Sequence, residues 1–188
     1  YVHHVYDGFI EGTHHRVIAE KLERVARGEL KRLIVNMPPR HSKSEFASYL
    51  MPSWFLGRNP KLKIIQATHN TELAVRFGRK VRDLIDTPDY HTIFPDTILK
   101  ADDKAAGRWG TSAGGEYFAA GVGAAMTGRG ADLLIIDDPH SEQDALSSTA
   151  FDNAFEWYTS GPRQRLQPGG AIIIVMTRWG MKDLTGQV

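Results

Sequence analysis

A short apolar strand that runs into a loop ending in Lys43-Ser44 constrains the fold of this chain more than any other feature. The strand covers 32–37, and the loop after it reads Pro38-Pro39-Arg40-His41-Ser42. A helix is predicted to begin at Ser44. A strand, a tight loop and a helix that opens on Lys-Ser form the layout of a phosphate-binding loop, which occurs in α/β folds.

The loop departs from the usual pattern G-x-x-x-x-G-K-[ST], because neither glycine is present. With the pattern aligned on Lys43, the two glycine positions are occupied by Met37 and Ser42. Ser42 is therefore expected to adopt the backbone angle that the second glycine normally takes. Pro38 and Pro39 fix φ ahead of the turn, so that stiffness replaces the flexibility of glycine.

The residue types of the loop still suit a nucleoside triphosphate. Lys43 is predicted to place its charge on the β and γ phosphates, and Ser44 to offer its hydroxyl to Mg²⁺. Backbone N–H groups at the helix start would face the anion. The predicted cofactor-binding residues of the loop are Pro39, Arg40, His41, Ser42, Lys43, Ser44 and Glu45.

Two loop side chains have further interpretations. Arg40 is predicted to be a second cation near the phosphates, although a solvated position also fits. A solvated loop tip is the preferred interpretation of His41. The segment as a whole also fits an ordinary basic turn between a strand and a helix.

A second strand ends in a pair of carboxylates, Asp137 and Asp138. Four apolar residues, 133–136, come before the pair, as expected of a strand buried on both faces of a parallel sheet. Asp137 is predicted to hold Mg²⁺ through water, and Asp138 to orient or deprotonate the attacking water. ATPases of this type more often have glutamate at the second position, so Asp138 has a shorter reach. The pair followed by Pro139 also fits a turn that caps a helix.

The rest of the chain alternates strands with helices. Helices are predicted over 13–27, 44–55, 71–85 and 149–158, and further strands over 62–68, 132–137 and 171–177. A hairpin is predicted from 108–112 and 116–121, a surface loop over 88–106, and a mobile glycine-rich loop over 121–130. This alternation predicts an α/β fold of the P-loop NTPase (ASCE/RecA-like) type, a three-layer sandwich with a mostly parallel central sheet. Ligands of such sheets bind beyond the carboxyl ends of the strands.

Three other residues are candidates for the same site. Thr177 ends the last strand and could contact the γ-phosphate, or it could cap the following turn. Arg129 lies between two glycines and could reach the nucleotide of a neighbouring subunit, although a solvated arginine also fits. His15, at a helix start, suits helix capping or an adenine contact. A small basic patch at Arg163 and Arg165 could touch a DNA backbone or simply be solvated.

Composition excludes several classes of protein. The 188 residues, 41% hydrophobic and 24% charged, leave room for one globular domain. The absence of cysteine excludes disulfides, thiol catalysis and cysteine–metal sites. No apolar run approaches the roughly 20 residues needed to span a bilayer. The net charge of +1 means that any nucleic-acid contact must come from a local patch.

The ordered set of motifs resembles the ATPase domain of the large terminase subunit of tailed bacteriophages. The motifs are His14-His15-Arg16, Pro38 to Glu45, Ala67-Thr68-His69-Asn70-Thr71-Glu72-Leu73-Ala74, Gly128 to Pro139, and Thr177-Arg178-Trp179 followed by Asp183-Leu184-Thr185-Gly186. Their order covers nearly the whole chain. The resemblance implies that the chain hydrolyses ATP with Mg²⁺ and drives double-stranded DNA into a procapsid.

The resemblance also implies roles for single residues. Lys43 and Ser44 would be the lysine and the Mg²⁺ ligand of the Walker A motif. Asp137 and Asp138 would be the metal-side and catalytic carboxylates of the Walker B motif. Thr177 would couple hydrolysis to movement, and Arg129 would act in trans on a neighbouring subunit.

The resemblance further implies partners and a place in a longer protein. The partners would be double-stranded DNA, the portal protein, the small terminase subunit and further copies of the chain in a ring, a pentamer. The location would be the host cytoplasm, transiently at the procapsid portal and not in the mature virion, with no membrane contact. Residues 1–188 would form the N-terminal ATPase domain without the C-terminal nuclease domain, so no DNA cleavage is expected. The alternatives are a helicase-like NTPase and a nucleotide-binding docking module without turnover.

Overall fold

The computed structural model describes the whole chain, from Tyr1 to Val188, and its centre is a seven-stranded sheet. The strands are β1 (Arg32–Asn36), β2 (Lys63–Thr68), β3 (Leu99–Ala105), β4 (Arg108–Thr111), β5 (Glu116–Gly121), β6 (Ala131–Asp137) and β7 (Leu166–Met176). Their order across the sheet is β1-β7-β6-β2-β5-β4-β3. The first five strands in this order are parallel, and β4 is antiparallel to both of its neighbours, β5 and the edge strand β3. The predicted α/β class with a mostly parallel sheet is confirmed.

Helices cover both faces of the sheet and produce the predicted three layers. They are α1 (Val2–Val5), α2 (Thr13–Ala26), α3 (Met51–Arg58), α4 (Thr71–Ile85), α5 (Pro88–Ile93), α6 (Ser148–Ser160) and α7 (Leu184–Gln187). A π-helix covers Glu45–Leu50, and short 3₁₀ turns cover Asp144–Leu146 and Pro162–Arg165. One core packs α2 to α4 on the sheet, and the second packs α6 and α7 on its other face. No helix combines the length and the apolar character that crossing a membrane requires.

Several predicted elements are confirmed within one or two residues. The helix predicted over 71–85 is α4, whose first turn is capped by the Asn70 side chain accepting a hydrogen bond from the Leu73 N–H at 2.8 Å. The hairpin predicted around 113–115 is the antiparallel pair β4 and β5. The central strands β6 and β7 are buried on both faces, which explains why their sequences are continuous apolar runs.

The surface loop predicted over 88–106 is wrong. Residues 88–93 form α5, which begins with Pro88 and is capped by the Thr87 hydroxyl, and the buried Tyr90 anchors it by donating a hydrogen bond to the Ser53 carbonyl at 2.7 Å. Residues 99–105 form β3, the edge strand. Its sequence shows no apolar period because an exposed edge strand is mostly charged, which also discourages pairing with other chains.

The helix predicted over 44–55 is present but changes its winding. Within the π-helix the Met51 N–H bonds to the Phe46 carbonyl, five residues earlier, and α3 follows with Pro52 in its first turn. A continuous α-helix would press the Pro52 ring against the Ser48 carbonyl, and a wider turn avoids that clash.

Two further features differ from the prediction, the start of β7 and the packing of the glycine-rich segment. Strand β7 begins at Leu166 rather than at Ala171, because an irregular register and a positive φ of 84° at Gly169 carry the strand through a segment that looks like a turn. In the segment 121–130, predicted to be mobile, the Met126 side chain is buried in the second core. Burial of Met126 ties this segment to the sheet.

The strand order decides where a site can form. Strand β7 lies between β1 and β6, so the carboxyl ends of β1, β7 and β6 are neighbours at one edge of the sheet. The loop after β1, the two carboxylates at the end of β6 and the residue after β7 therefore meet there. Parallel sheets bind their ligands at this edge.

Candidate active site

The loop after β1 is built from two residues in the left-handed region of backbone space. Arg40 has a φ of 63° and Ser42 a φ of 62°. For a residue other than glycine this conformation costs about 1–2 kcal/mol. Ser42 thus takes a glycine-like angle, as the missing glycine led us to expect.

Replacing Ser42 by glycine is expected to raise the free energy of unfolding by about 1 kcal/mol, because glycine adopts this φ without strain. Ser42→Ala is the matched control, since it removes the hydroxyl but keeps the strained Cβ atom. Urea unfolding measures both. Equal stability of the two variants would show that the backbone angle at Ser42 carries no strain.

Lys43 reaches across to the second carboxylate of β6. Its side chain is 7% exposed, and its Nζ lies 2.8 Å from Asp138 Oδ2. A lysine buried to this extent needs a charged partner, and Asp138 supplies it. The ion pair brings together two residues that are far apart in the sequence and that were predicted to share one site.

Asp138 is held in an unusual backbone conformation by residues at the ends of two neighbouring strands, β2 and β7. Its φ is 42°. Its N–H donates to the Val175 carbonyl at 2.9 Å, and its own carbonyl accepts from the His69 N–H at 3.1 Å. Its Oδ1 accepts from the Thr177 N–H at 3.0 Å. The carboxylate is therefore aimed at Lys43 by contacts with β2 and β7.

Thr177 connects the loop with the carboxylates. Besides the bond from its N–H to Asp138, its hydroxyl donates to the Met37 carbonyl at 3.3 Å. Thr177 thus lies between the two motifs, and its contact with a γ-phosphate stays a prediction. A change in the position of the β7 end would move both the loop and Asp138.

Asp137, the last residue of β6, is buried and bound by two serines. Ser44 Oγ donates to its Oδ1 at 3.0 Å, and Ser48 Oγ donates to its Oδ2 at 2.6 Å. Burial raises the pKa of Asp137 to about 6, against the hydrogen bond from Ser48, while the Asp138 charge raises it further. The Asp137 carboxyl is therefore neutral in mildly acidic solution and ionised near neutral pH.

The raised pKa of Asp137 predicts a pH-dependent stability. The folded protein holds this proton more tightly than the unfolded chain, so stability is highest below the unfolded pKa of 3.8 and falls as the pH rises through about 6. Asparagine does not titrate, so Asp137→Asn lacks this loss. The unfolding free energy of Asp137→Asn relative to that of the unsubstituted protein should therefore rise by up to about 3 kcal/mol from about pH 4 to about pH 7. Urea unfolding at both pH values measures it. A constant difference would contradict the raised pKa.

The donors around Asp137 fit Mg²⁺ bound together with phosphates. The structure has no group of three or more His, Cys, Asp or Glu side chains that could hold a metal ion without other ligands. It does place the Ser44 hydroxyl 3.0 Å from Asp137 Oδ1, which pairs two hard oxygen atoms at the end of the loop. Mg²⁺ is usually held by one or two such oxygens together with substrate phosphates and water.

The other predicted loop residues are placed less directly. Arg40 is exposed and its side chain has no hydrogen bond or ion pair, so it is free to meet an anion. His41 is exposed, and its Nδ1 lies 2.9 Å from the Pro39 carbonyl, which fits the loop-tip interpretation. Glu45 forms an ion pair of 2.7 Å with Lys80 of α4. This pair ties the start of the π-helix to α4.

His15 lies behind the loop, and its contacts support helix capping. Its Nδ1 accepts a hydrogen bond from the Gly12 N–H at 2.9 Å, and its ring stacks on Phe46 with centroids 5.2 Å apart. Its Nε2 is buried without a hydrogen-bond partner. His15 thereby packs α2 against the helix that follows the phosphate loop.

Arg129 and the basic patch are not brought to this edge of the sheet. Arg129 comes before β6, forms an ion pair with Glu116 and stacks over the Phe118 ring at 3.9 Å. Phe118 is level with Leu134 in the sheet register, and β5 is two strands away from β6, so the Arg129 guanidinium is held against β5 and not at the strand ends. Arg163 and Arg165 precede β7 and lie toward the opposite edge from the carboxylates. In this structure Arg129 contacts neither the loop nor the two carboxylates of its own subunit.

Sequence reasoning missed three polar residues around the carboxylates, of which Ser48 bonds to a carboxylate directly. Ser48 and Gln66 are both buried and form a chain to Asp137, with Gln66 Nε2 donating to Ser48 Oγ at 2.9 Å. The His69 ring Nδ1 lies 3.2 Å from the Asp138 carbonyl. The available signals were the spacing of four between Ser44 and Ser48 and a single amide inside the apolar strand β2.

Comparison with solved structures adds a likeness in fold. The chain is similar to the large terminase of the HK97 bacteriophage, with a TM-score of 0.57 and 12% sequence identity. The match covers 94% of this chain and 35% of the phage protein, so the chain spans about a third of the length of that protein. No protein-family model matches the chain, and no curated protein sequence matches it. The fold is thus terminase-like, in agreement with the predicted P-loop architecture.

Proposed function

We propose that this chain is the ATPase part of a DNA-packaging motor, which hydrolyses ATP to move double-stranded DNA into a procapsid. The observation that carries the proposal is the contact of 2.8 Å between Lys43 and Asp138 at the carboxyl edge of the sheet. The lysine of a phosphate-binding loop and a strand-end carboxylate meet there beside a second carboxylate, Asp137. The terminase-like fold supports the packaging context.

The residues divide the chemistry between them. Lys43 and the N–H groups at the helix start bind the phosphates, with Arg40 as a second cation. Ser44 and Asp137 would hold Mg²⁺, which supplies positive charge to the phosphate oxygens when bound. Asp138 takes a proton from water while the water oxygen bonds to the γ-phosphorus and the bond to the ADP oxygen breaks.

A nucleotide must compete with Asp138 for the Lys43 ammonium, since the two side chains are in contact. Transfer of Lys43 to the phosphates would leave the Asp138 carboxylate free to act as a base. Thr177, bonded to both the loop and Asp138, would pass this change to the end of β7. These contacts support a role of Thr177 in coupling hydrolysis to movement.

The proposal includes a ring of copies. Arg129 does not contact the site of its own subunit and is held at β5 by Glu116 and Phe118, so it would serve the site of a neighbour in a homo-oligomeric ring, a pentamer. Its ion pair with Glu116 would have to open first. The further partners would be the portal protein and the small terminase subunit, at the procapsid in the host cytoplasm. DNA cleavage is not part of this proposal.

Phosphate release from Mg-ATP, with and without double-stranded DNA and over a range of protein concentrations, tests the proposal. Turnover per molecule should rise with concentration, because the neighbour's Arg129 completes the site, and DNA should raise it further. Turnover that double-stranded DNA does not affect, but that single-stranded DNA added in the same assay raises, would favour a helicase-like NTPase. ATP binding without turnover at any concentration would favour the docking module.

A further inference from the structure

A buried chain of hydrogen bonds leads from the centre of the sheet to the carboxylate at the end of β6. Gln66 Nε2 donates to Ser48 Oγ at 2.9 Å, and Ser48 Oγ donates to Asp137 Oδ2 at 2.6 Å. Gln66 and Ser48 are fully buried, and Asp137 is 2% exposed. The chain links β2, the π-helix and β6, three elements that meet below the phosphate loop.

The direction of these bonds is fixed. A serine hydroxyl has one proton, and an amide nitrogen can only donate. Since Ser48 Oγ accepts from Gln66, its single proton is directed to Asp137. Gln66 therefore keeps Ser48 in the donor state, and Oδ2 of Asp137 always has a donor. The other oxygen, Oδ1, faces the Ser44 hydroxyl.

The helix winding places Ser48 in this chain. A serine inside a helix commonly turns its hydroxyl back to the carbonyl four residues earlier. Here the hydroxyl of Ser48 leaves its own helix and bonds to β6. The π-helix of Glu45–Leu50 is the local departure from α-helical winding, and such departures are frequent at functional sites.

Stability alone does not account for Gln66. Its neighbours in β2 include Ile64 and Ile65, and its Oε1 is buried without a partner. A buried polar atom without a hydrogen bond costs about 1–3 kcal/mol, so an apolar residue of similar size would suit the fold better. The amide is retained at a position where its nitrogen orients Ser48.

We propose that Ser48 and Gln66 are positioning residues that orient the Asp137 carboxylate for a divalent cation. The inference rests on the proposed role of Asp137 as a metal ligand. With Oδ2 tied to Ser48, Oδ1 stays beside the Ser44 hydroxyl, where the cation would be shared. Outer hydrogen bonds of this kind typically change metal affinity by about 10–100-fold.

Binding of Mn²⁺ in the presence of inorganic phosphate, which supplies the ligands that the protein lacks, tests the inference without nucleotide or turnover. It is followed by the loss of the free-ion electron paramagnetic resonance signal. Ser48→Ala should weaken Mn²⁺ binding at least about tenfold, and Gln66→Leu several-fold. Ser48→Thr, which keeps the hydroxyl, should restore most of the affinity. Ser53→Ala is the matched control, because Ser53 is a buried serine farther along the same helical segment that bonds to Leu50 and not to Asp137.

Gln66→Met separates an orienting role from a packing role, because it keeps a side chain of similar length and removes the N–H that bonds to Ser48. Its Mn²⁺ binding should be weakened as much as that of Gln66→Leu. The midpoint temperature of thermal unfolding should be no lower for Gln66→Leu than for the unsubstituted protein. Equal Mn²⁺ affinity of Ser48→Ala and the unsubstituted protein, or no Mn²⁺ binding by either, would overturn the inference. Absence of ATP turnover with these affinity changes present would count only against the proposed function.

Discussion

Replacing Asp138 by asparagine is expected to reduce ATP turnover by about 10³-fold, within the usual range for loss of a general base. Asparagine cannot take the proton of the attacking water. The local backbone should keep its conformation, because asparagine tolerates the φ of 42° and its side-chain oxygen can still accept from the Thr177 N–H. Some loss of stability is expected, because the buried Lys43 loses its charged partner, so the fold of the variant is checked by thermal unfolding. Phosphate release under saturating Mg-ATP measures the effect.

The same variant should bind ATP as tightly as the unsubstituted protein or more tightly. Asp138 holds the Lys43 ammonium at 2.8 Å, and a neutral side chain competes less with the phosphates. Asp152→Asn, which removes an exposed carboxylate on α6, is the control for a general change of charge. Turnover by Asp138→Asn within tenfold of the unsubstituted protein would show that the base is another residue.

Replacing Lys43 by alanine is expected to weaken binding of an ATP analogue by about 100-fold. Hydrogen bonds to a charged group contribute about 1.5–3 kcal/mol each, and the larger value corresponds to this factor. Equilibrium titration with a fluorescent analogue in the presence of Mg²⁺ measures the change. Lys61→Ala, which removes an exposed lysine without an ion pair, is the control for net charge.

Burial of Lys43 requires a second variant. Lys43→Ala leaves Asp138 without its partner and opens space beside it, so some loss of stability is expected. Lys43→Met keeps most of the side-chain volume and removes only the charge. Weak nucleotide binding by both variants, with a folded Lys43→Met protein, identifies the ammonium as the binding group. Unchanged binding by folded Lys43→Met would remove the loop from the nucleotide site.

The central sheet could be predicted because its buried strands are continuous apolar runs. The apolar runs 133–136 and 171–176 are typical of strands inside a parallel sheet, and the polar residues after such strands lie at its carboxyl edge. The convergence of Lys43, Asp138 and Thr177 follows from that rule. The order that places β7 between β1 and β6 depends on packing of the whole chain, which local patterns do not contain.

The errors have a common physical origin in elements that lack an apolar period. Strand β3 is charged because it is an edge, and α5 is one and a half turns long, too short for a periodic signal, although Thr87-Pro88 marks its start. The π-helix depends on a clash between Pro52 and the turn before it. Ser48 and Gln66 look like isolated polar residues until the fold brings them to Asp137.

The most direct test of a nucleotide site at this edge of the sheet is a titration of the unsubstituted protein with a fluorescent ATP analogue, with and without Mg²⁺. Saturable binding that Mg²⁺ strengthens and that unlabelled ATP displaces is expected, because Lys43, Ser44 and Asp137 form one site. Absence of saturable binding under both conditions would contradict it, since the contact of Lys43 with Asp138 would then be only a structural ion pair.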